Sequence, residues 1–519
     1  MRKLCRVLFS RYFISGVLIS AELLLMGYLL LEAYEYSFVA LVFFGAVDVI
    51  ALVSLINRDA NPEYKVSWLV VIMLLPPFGA ALYAIFYSRR VSKKDAEFMQ
   101  KIRSNIAKIS STGTDLDEKC DREYQHLHTV SPLAAGKTYA ILNDDKNANI
   151  YLQTSSRFFS TGEDMFECMM KDLASAKRYV FLEYFIIEQG QMWERIHTVL
   201  KEKAQAGVEI RVLYDDIGSM KTLPARYDRI LNSEGIKCKR FSPVSPRVST
   251  THNNRDHRKI LVIDGVIAYT GGINIADEYI NLKNRFGHWK DGGIRIYGDA
   301  SFGFLKLFLA MWDFTAGHLS DVERYLPASS DLTGSDGGFY VPFGSGPAPI
   351  YERPVSKNVL LNIVNQAEKY VYITTPYLII DYDLTQSLEN AAIRGVDVRI
   401  ITPAVADKKI VKVMTKSSYP SLIRAGVRIY EYAPGFIHEK SVVSDDVYAM
   451  VGTVNLDYRS LVHHYEDAVW MYSTPTVTEI RDEFMKTVSV SNLKDSKAVR
   501  LTPVEWIVRN IIRIFAPLL

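Results

Sequence analysis

The sequence predicts an α/β protein in which N-terminal transmembrane helices are followed by two tandem α/β halves. Three observations predict it. The first 90 residues hold three apolar runs with almost no charge. From residue 136, β-branched runs alternate with helical stretches, the pattern of a sheet with helices on its faces. Finally, HRKILVIDGVIAYTGGIN at 257–274 returns as HEKSVVSDDVYAMVGTVN at 438–455, so the α/β part is internally duplicated.

Composition supports the division. A chain of 519 residues suggests about three domains. A hydrophobic share of 49% beside 23% charged residues, with mean hydropathy +0.02, points to a membrane part joined to a soluble part. A net charge of +3 is too small to argue for nucleic acid. Cys5, Cys120, Cys168 and Cys238 are scattered without CxxC or metal-ligand spacing, which reads as free thiols in a reducing compartment.

Residues 12–31 carry only Glu22, residues 38–56 only Asp48, and residues 66–87 no charge. About 20 apolar residues cross a bilayer, so each run is long enough. No small-residue cleavage site follows the first, which makes these anchors and not a signal peptide. Arg2, Lys3, Arg6 and Arg11 precede a base-free first connection, which puts the N-terminus inside. The basic group Arg89, Arg90, Lys93 and Lys94 also wants the inside, and three full spans would put it outside. Pro76-Pro77 breaks the third run, so that run is read as re-entrant or interfacial, with the soluble part cytoplasmic.

Residues 1–90 are thus the anchor of two to three segments, and 91–135 a helix plus linker. The first half covers 136–325, the Gly/Pro/Ser-rich joint 326–350, and the second half 351–500. FLEYFIIEQ (181–189) matches ITTPYLIID (373–381), AGVEIRVLY (206–214) matches RGVDVRIIT (394–402), and EGIKCKRF (234–241) matches AGVRIYEY (425–432). The offsets drift, so this is an old duplication and not a solenoid. Before its motif the first half holds an extra loop within SPVSPRVSTTHNNRD (242–256). The C-terminal segment, 501–519, has an apolar side of Trp506, Ile507, Ile511, Ile514 and Phe515 against Arg509 and Arg513. It either lies on a membrane or packs on the core.

The chemistry lies in the duplicated motif, His-x-Lys, four residues, Asp, six residues, Gly-Gly/Thr-x-Asn. On a strand, residues i and i+2 share a face, so His257 lies beside Lys259 and His438 beside Lys440. Asp264-Gly265 is a hairpin-turn pair. One such pair is usually a solvated strand end; two copies with identical spacing are a phosphate-handling arrangement.

This pattern resembles the phospholipase D superfamily and, within it, the bacterial cardiolipin synthases. Asn274-Ile275-Ala276-Asp277-Glu278-Tyr279 and Asn455-Leu456-Asp457-Tyr458-Arg459-Ser460 continue the two motifs as in that family, and SWLVVIMLLPPFGAALY resembles its membrane module. The resemblance implies two phospholipase D-like halves about a pseudo-two-fold axis, with both histidines on one phosphorus. His257 then attacks, His438 protonates the leaving glycerol, and a phosphatidyl-histidine forms; quasi-equivalence leaves these roles interchangeable. Lys259 and Lys440 neutralise the phosphorane without a metal or other cofactor. Asn274 and Asn455 bind phosphoryl oxygens. Asp264 and Asp445 complete the catalytic motifs, fixing the hairpin more than touching substrate. Glu278 and Glu466 hold the histidines' second nitrogens, although His464-x-Glu466 departs from the family's Asn-x-Glu.

The implied partners are phosphatidylglycerol, cardiolipin and the bilayer, at a multi-pass cell-membrane location, with no nucleic acid. The loop at 242–256 is either a wall of the lipid entrance, with Arg247 and Arg255 near a phosphate, or merely solvated. A hydrolytic phospholipase D and a non-enzymatic anionic-lipid scaffold are the other readings.

Overall fold

A computed structural model describes residues 34–58, 61–76, 78–87, 91–107, 116–243, 254–327, 334–495 and 503–518, and the isolated positions 17, 20, 24 and 28. They fall into two compact units.

The first unit contains helices Tyr34–Ile56, Pro62–Leu74, Phe78–Phe86 and Pro503–Phe515. The third apolar run is broken where its prolines predict, between Leu74 and Phe78. Its halves, 13 and 9 residues long, reach only about 20 and 14 Å at 1.5 Å per residue. A Cβ on Gly79 would stand 2.4 Å from the Val71 carbonyl oxygen, so glycine is what lets the second short helix fold back on the first. Leu55, Trp68, Ile72, Leu82, Tyr83 and Phe86 form the small core. Phe38, Phe43, Ile50, Met73 and Leu74 remain exposed.

The expected transmembrane helices are not confirmed. The first run lies almost wholly outside the described residues. Helix Tyr34–Ile56 has the length, but several of its side chains lie outside the described set, and among the described residues no helix is long and apolar enough to cross a membrane. The C-terminal segment forms the expected helix and packs within this unit, where Ser67 Oγ donates to the Ile514 carbonyl at 2.6 Å.

The second unit carries the duplication. Its first sheet uses β1 (Thr154–Phe159), β2 (Tyr179–Tyr184), β3 (Glu209–Asp215), β4 (Lys237–Phe241), β5 (Lys259–Ile263), β6 (Ile267–Gly271) and β8 (Gly293–Gly298), while β7 (His288–Lys290) lies apart. The strand order is β1-β8-β6-β5-β2-β3-β4. The second half supplies β9 (Phe339–Ser345), β10 (Tyr370–Thr374), β11 (Leu378–Ile379), β12 (Asp397–Pro403), β13 (Arg428–Tyr432), β14 (Gly435–Ile437), β15 (Ser441–Ser444), β16 (Tyr448–Gly452), β17 (Leu456–Asp457), β18 (Glu466–Tyr472) and β19 (Ser491–Leu493). Its large sheet runs β19-β13-β12-β10-β15-β16-β18-β9, which is the first order in reverse plus one edge strand.

The three sequence matches fall on β2/β10, β3/β12 and β4/β13. In each half these strands pair in parallel, and the motif hairpin adds on antiparallel. The central strand β2, YVFLEY, is buried at all six positions, as a strand covered on both faces must be.

Two boundaries differ from the sequence expectation. Residues 339–345, expected in the joint, form β9, the counterpart of β1. Much of the expected linker is structured: Met99, Ile102, Ile106 and Leu127 enter the core that joins both halves. Helix Ser301–Ala316 is buried from Ser301 through Asp313 and packs on the first sheet and on β9. Its counterpart, Pro475–Ser489, packs on the second sheet and on β1. Each half thus closes the other's core, which fixes the two sheets against each other.

Candidate active site

Backbone pairing between the halves builds the site. The His257 N–H donates to the Tyr465 carbonyl at 2.9 Å, and the His438 N–H to the Lys290 carbonyl at 2.7 Å. In each case the next residue is a carboxylate that meets the same histidine's ring. The Nδ1–H of His257 donates to Glu466 Oε2 at 2.9 Å, and that of His438 to Asp291 Oδ2 at 2.7 Å. Each imidazole is therefore held by a carboxylate from the opposite half. Sheet register makes the two equivalent: Gly271 pairs with Gly293 and Gly452 with Ala468, and Asp291 and Glu466 each lie two residues before those partners.

Both carboxylates stay ionised. Burial works to raise them, but His257 holds Glu466, and His438 with Lys440 hold Asp291, below the ordinary range. An ionised acceptor fixes the proton on Nδ1 and leaves Nε2 with a lone pair. Burial pushes His257 down to about 3 and His438 to about 4, so both rings are neutral in the free site at pH 7. Lys259 Nζ donates to the His257 carbonyl at 2.7 Å, and Lys440 Nζ donates to the His438 carbonyl and lies 2.8 Å from its Nδ1. Burial lowers Lys259 to about 8 and Lys440 to about 7. The charge of Lys259 acts on both His438 and Lys440, so the two pairs form one electrostatic site. Such a site favours an incoming anion, whose charge would restore the lysine protons.

Around His438 the walls are aromatic, with ring centroids of Tyr279 and Trp289 each at 5.6 Å. Beside His257 lie Phe185 at 5.0 Å and a second imidazole, His464, at 5.4 Å. His257, His464 and Glu466 bring potential metal-ligand atoms within 4.8 Å of one another. Cysteine and histidine spacing could not reveal this group, because its members come from both halves.

Other expected site residues take different places. Asp264 accepts from the backbone N–H groups of Lys177, Arg178 and Tyr179, and Asp445 from those of Glu368, Lys369 and Tyr370, all at 2.7–2.9 Å. They pin each hairpin to the neighbouring strand and touch neither histidine. Asp264 and Gly265 have φ of 53° and 76°, and Asp445 and Asp446 φ of 57° and 61°. The expected Asp-Gly turn is therefore present, although Val266 lengthens the connection by one residue. Replacing Asp264 with alanine is expected to cost about 2 kcal/mol of stability by orphaning charge-assisted hydrogen bonds. Denaturant unfolding checks it, with kcat/KM of the folded enzyme unchanged.

Asn274 is committed to the scaffold: its Oδ1 accepts from Ile186 N–H at 3.0 Å and its Nδ2 donates to Tyr279 OH at 2.7 Å. Asn455 Oδ1, by contrast, is buried without a hydrogen-bond partner. Glu278 pairs with Arg285 at 3.1 Å and does not hold a histidine; Asp291 does so instead. Arg255 is locked on Asp215 by bonds of 2.8 Å, so it is not free for a lipid phosphate. Arg247 and the loop at 244–253 lie outside the described residues. Gly272 has a steric reason: its Cβ would fall 2.0 Å from Asp291 Oδ1. At the matching position, the Thr453 hydroxyl donates to Glu466 Oε2.

Asp291 is not visible in the duplicated motif because the repeat offset changes just after it. It is 181 between Asn274 and Asn455 and 175 between Asp291 and Glu466. Aligning GIRIYG (293–298) with AVWMYS (468–473) would have found it.

A family model described as the PLD-like domain of cardiolipin synthase matches residues 169–285 and 360–488, and one described as a phospholipase D-nuclease N-terminal domain matches 46–86. The chain is 38% identical over 469 residues to an uncharacterized protein of Streptococcus mutans, covering 90% of this chain and 98% of that one. It is 32% identical over 483 residues to a cardiolipin synthase of a Geobacillus strain, covering 92% of each. Among solved structures, phosphatidylserine synthase of Haemophilus influenzae superposes with a TM-score of 0.55 at 15% identity, over 74% of this chain and 98% of that one, a likeness of fold.

Proposed function

The chain belongs to the cardiolipin synthases of the phospholipase D superfamily, and on that footing we propose that it moves a phosphatidyl group between two phosphatidylglycerol molecules, giving cardiolipin and glycerol. The observation that carries this reading is the pair of imidazoles, each with Nδ1 held by a carboxylate of the opposite half. Phosphodiester exchange needs a nucleophile and an acid for the leaving oxygen, and neutral Nε2 atoms beside two lysines can supply both.

We assign the attack on phosphorus to the Nε2 of His257. The P–O bond to glycerol breaks, and His438, protonated as the anionic phosphate enters, gives its proton to the departing oxygen. His438 then takes the proton of an incoming glycerol hydroxyl, which attacks the phosphatidyl-histidine and frees His257. Lys259 and Lys440 offset the charge of each phosphorane, with Asn455 as a further donor. The aromatic wall at His438 disfavours water as acceptor.

The enzyme is membrane-associated, and its first unit keeps it where both substrates reside. We take the exposed Phe38, Phe43, Ile50, Met73 and Leu74 as lipid-facing. We take the catalytic unit to lie on the cytoplasmic side, which the basic residues Arg89, Arg90, Lys93 and Lys94 favour.

The test is product analysis on head-group-labelled phosphatidylglycerol in micelles. Cardiolipin and free glycerol in equal amounts support the proposal. Phosphatidate with glycerol would make the enzyme a phospholipase, and no turnover would favour a lipid-binding scaffold. The pH profile is a second check. In the free enzyme both histidines are already neutral above pH about 4, while the lysines lose charge at about 7 and about 8. Protonating His438 as the acid takes up a proton at any pH above about 4, so kcat/KM is expected to decline from mildly acidic pH upward and more steeply through the lysine range. A kcat/KM that stays level or rises between roughly pH 5 and 9 would contradict this.

A further inference from the structure

We propose that His257, His464 and Glu466 form an inhibitory site for a zinc-class divalent cation, which switches the enzyme off by occupying one of its two catalytic imidazoles. The donors are already gathered, with ligand atoms within 4.8 Å of one another. Two imidazoles and one glutamate are a set that zinc accepts, whereas magnesium and calcium favour all-oxygen sites. Both ring nitrogens of His464 are buried and lack a hydrogen-bond partner. Its Nδ1 lies 3.7 Å from Glu466 Oε1, near but not bonded.

A tetrahedral ion with bonds of about 2.1 Å holds its ligands roughly 3.4 Å apart, so the most distant pair has to close by roughly 1.4 Å. Rotation of His464 supplies much of that, since no hydrogen bond fixes its ring. Ser460 Oγ donates to Glu466 Oε1 at 2.7 Å and orients the carboxylate from behind. The opposing charge is Lys259, whose ammonium is turned to the His257 carbonyl.

The pseudo-symmetry supplies an internal control. The place beside His438 that corresponds to His464 is filled by Trp289, with ring centroids 5.6 Å apart against 5.4 Å for His464 and His257. Tryptophan cannot ligate a metal, so only one of the two catalytic histidines can be captured. The binding rests on this geometry alone; the inhibition rests on the phosphatidyl-transfer reading.

The full chain in detergent micelles is titrated with cobalt(II), followed by its visible ligand-field absorption, with zinc as competitor. The native protein and His438→Asn are expected to bind one equivalent, and His464→Asn to bind roughly 10- to 100-fold more weakly. His464→Gln serves the same purpose if the asparagine variant does not fold. Zinc should inhibit native cardiolipin formation reversibly by chelator, and His464→Asn is compared with its own zinc-free rate. Equal affinity in native and His464→Asn protein, or no cobalt band in the native protein, would overturn the site. A cobalt band without any transferase activity would leave the metal site standing and remove the functional reading instead.

Discussion

Replacing His257 with asparagine is expected to lower cardiolipin formation by on the order of 10⁴-fold or more, and His438→Asn to do the same. The size follows from what each ring does. One provides the electron pair that forms the P–N bond, and the other moves a proton in both half-reactions, so neither step survives the loss of either. The double variant is expected to be scarcely slower than each single one, because residues that act as a unit are not additive. Both side chains are buried under aromatic neighbours, so near-UV circular dichroism should accompany the rates. Loss of activity with native spectra supports a chemical role. A loss below about tenfold in either variant would remove that histidine from the reaction.

The second large effect is expected at residues that touch no substrate. Glu466→Gln and Asp291→Asn keep the size of each side chain and remove the charge that fixes the Nδ1 proton. With an amide there, the imidazole can turn its lone pair to Nδ1 and its proton to Nε2, where the lone pair is needed. In the Ser-His-Asp triad of serine proteases, the corresponding carboxylate-to-amide change costs about 10⁴-fold through the wrong tautomer. A loss of roughly 10²–10⁴-fold in kcat, with KM little changed, is expected here for each variant. Nitrogen chemical shifts of the histidine rings distinguish this from simple distortion, since the proton should move from Nδ1 to Nε2. Native rates in both variants would contradict the positioning role. The same test on Glu278→Gln is expected to leave the rate near native, because Glu278 pairs with Arg285.

Much of the architecture was legible because duplication writes the same physics twice. The matched strands fell where the sequence placed them, and the prolines at 76 and 77 broke the third apolar run as backbone rules require. His257, Lys259, His438 and Lys440 were legible because the motif recurs with identical spacing, and Glu466 because the family resemblance implies a carboxylate there.

What stayed hidden depended on contacts between the halves. Asp291 and His464 meet histidines far away in sequence, at a separation of 147 residues for Asp291 and His438. No local period reports such a pairing. Asn274 misled for a related reason: its counterpart Asn455 has an unpartnered oxygen, whereas its own amide is consumed by Ile186 and Tyr279. Equal sequence position did not mean equal surroundings. The strand at 339–345 was obscured by the Gly, Pro and Ser around it, since its place is set by pairing with β18 and not by propensity.

The central claim is that the phosphatidyl group rests on a histidine between donor and acceptor. The most direct measurement is the stereochemical course at phosphorus, using phosphatidylglycerol made chiral by one sulfur and one isotopic oxygen. Two successive in-line displacements, first by His257 and then by the acceptor hydroxyl, predict cardiolipin with configuration retained. Inversion would mean a single direct transfer and would contradict the covalent histidine mechanism.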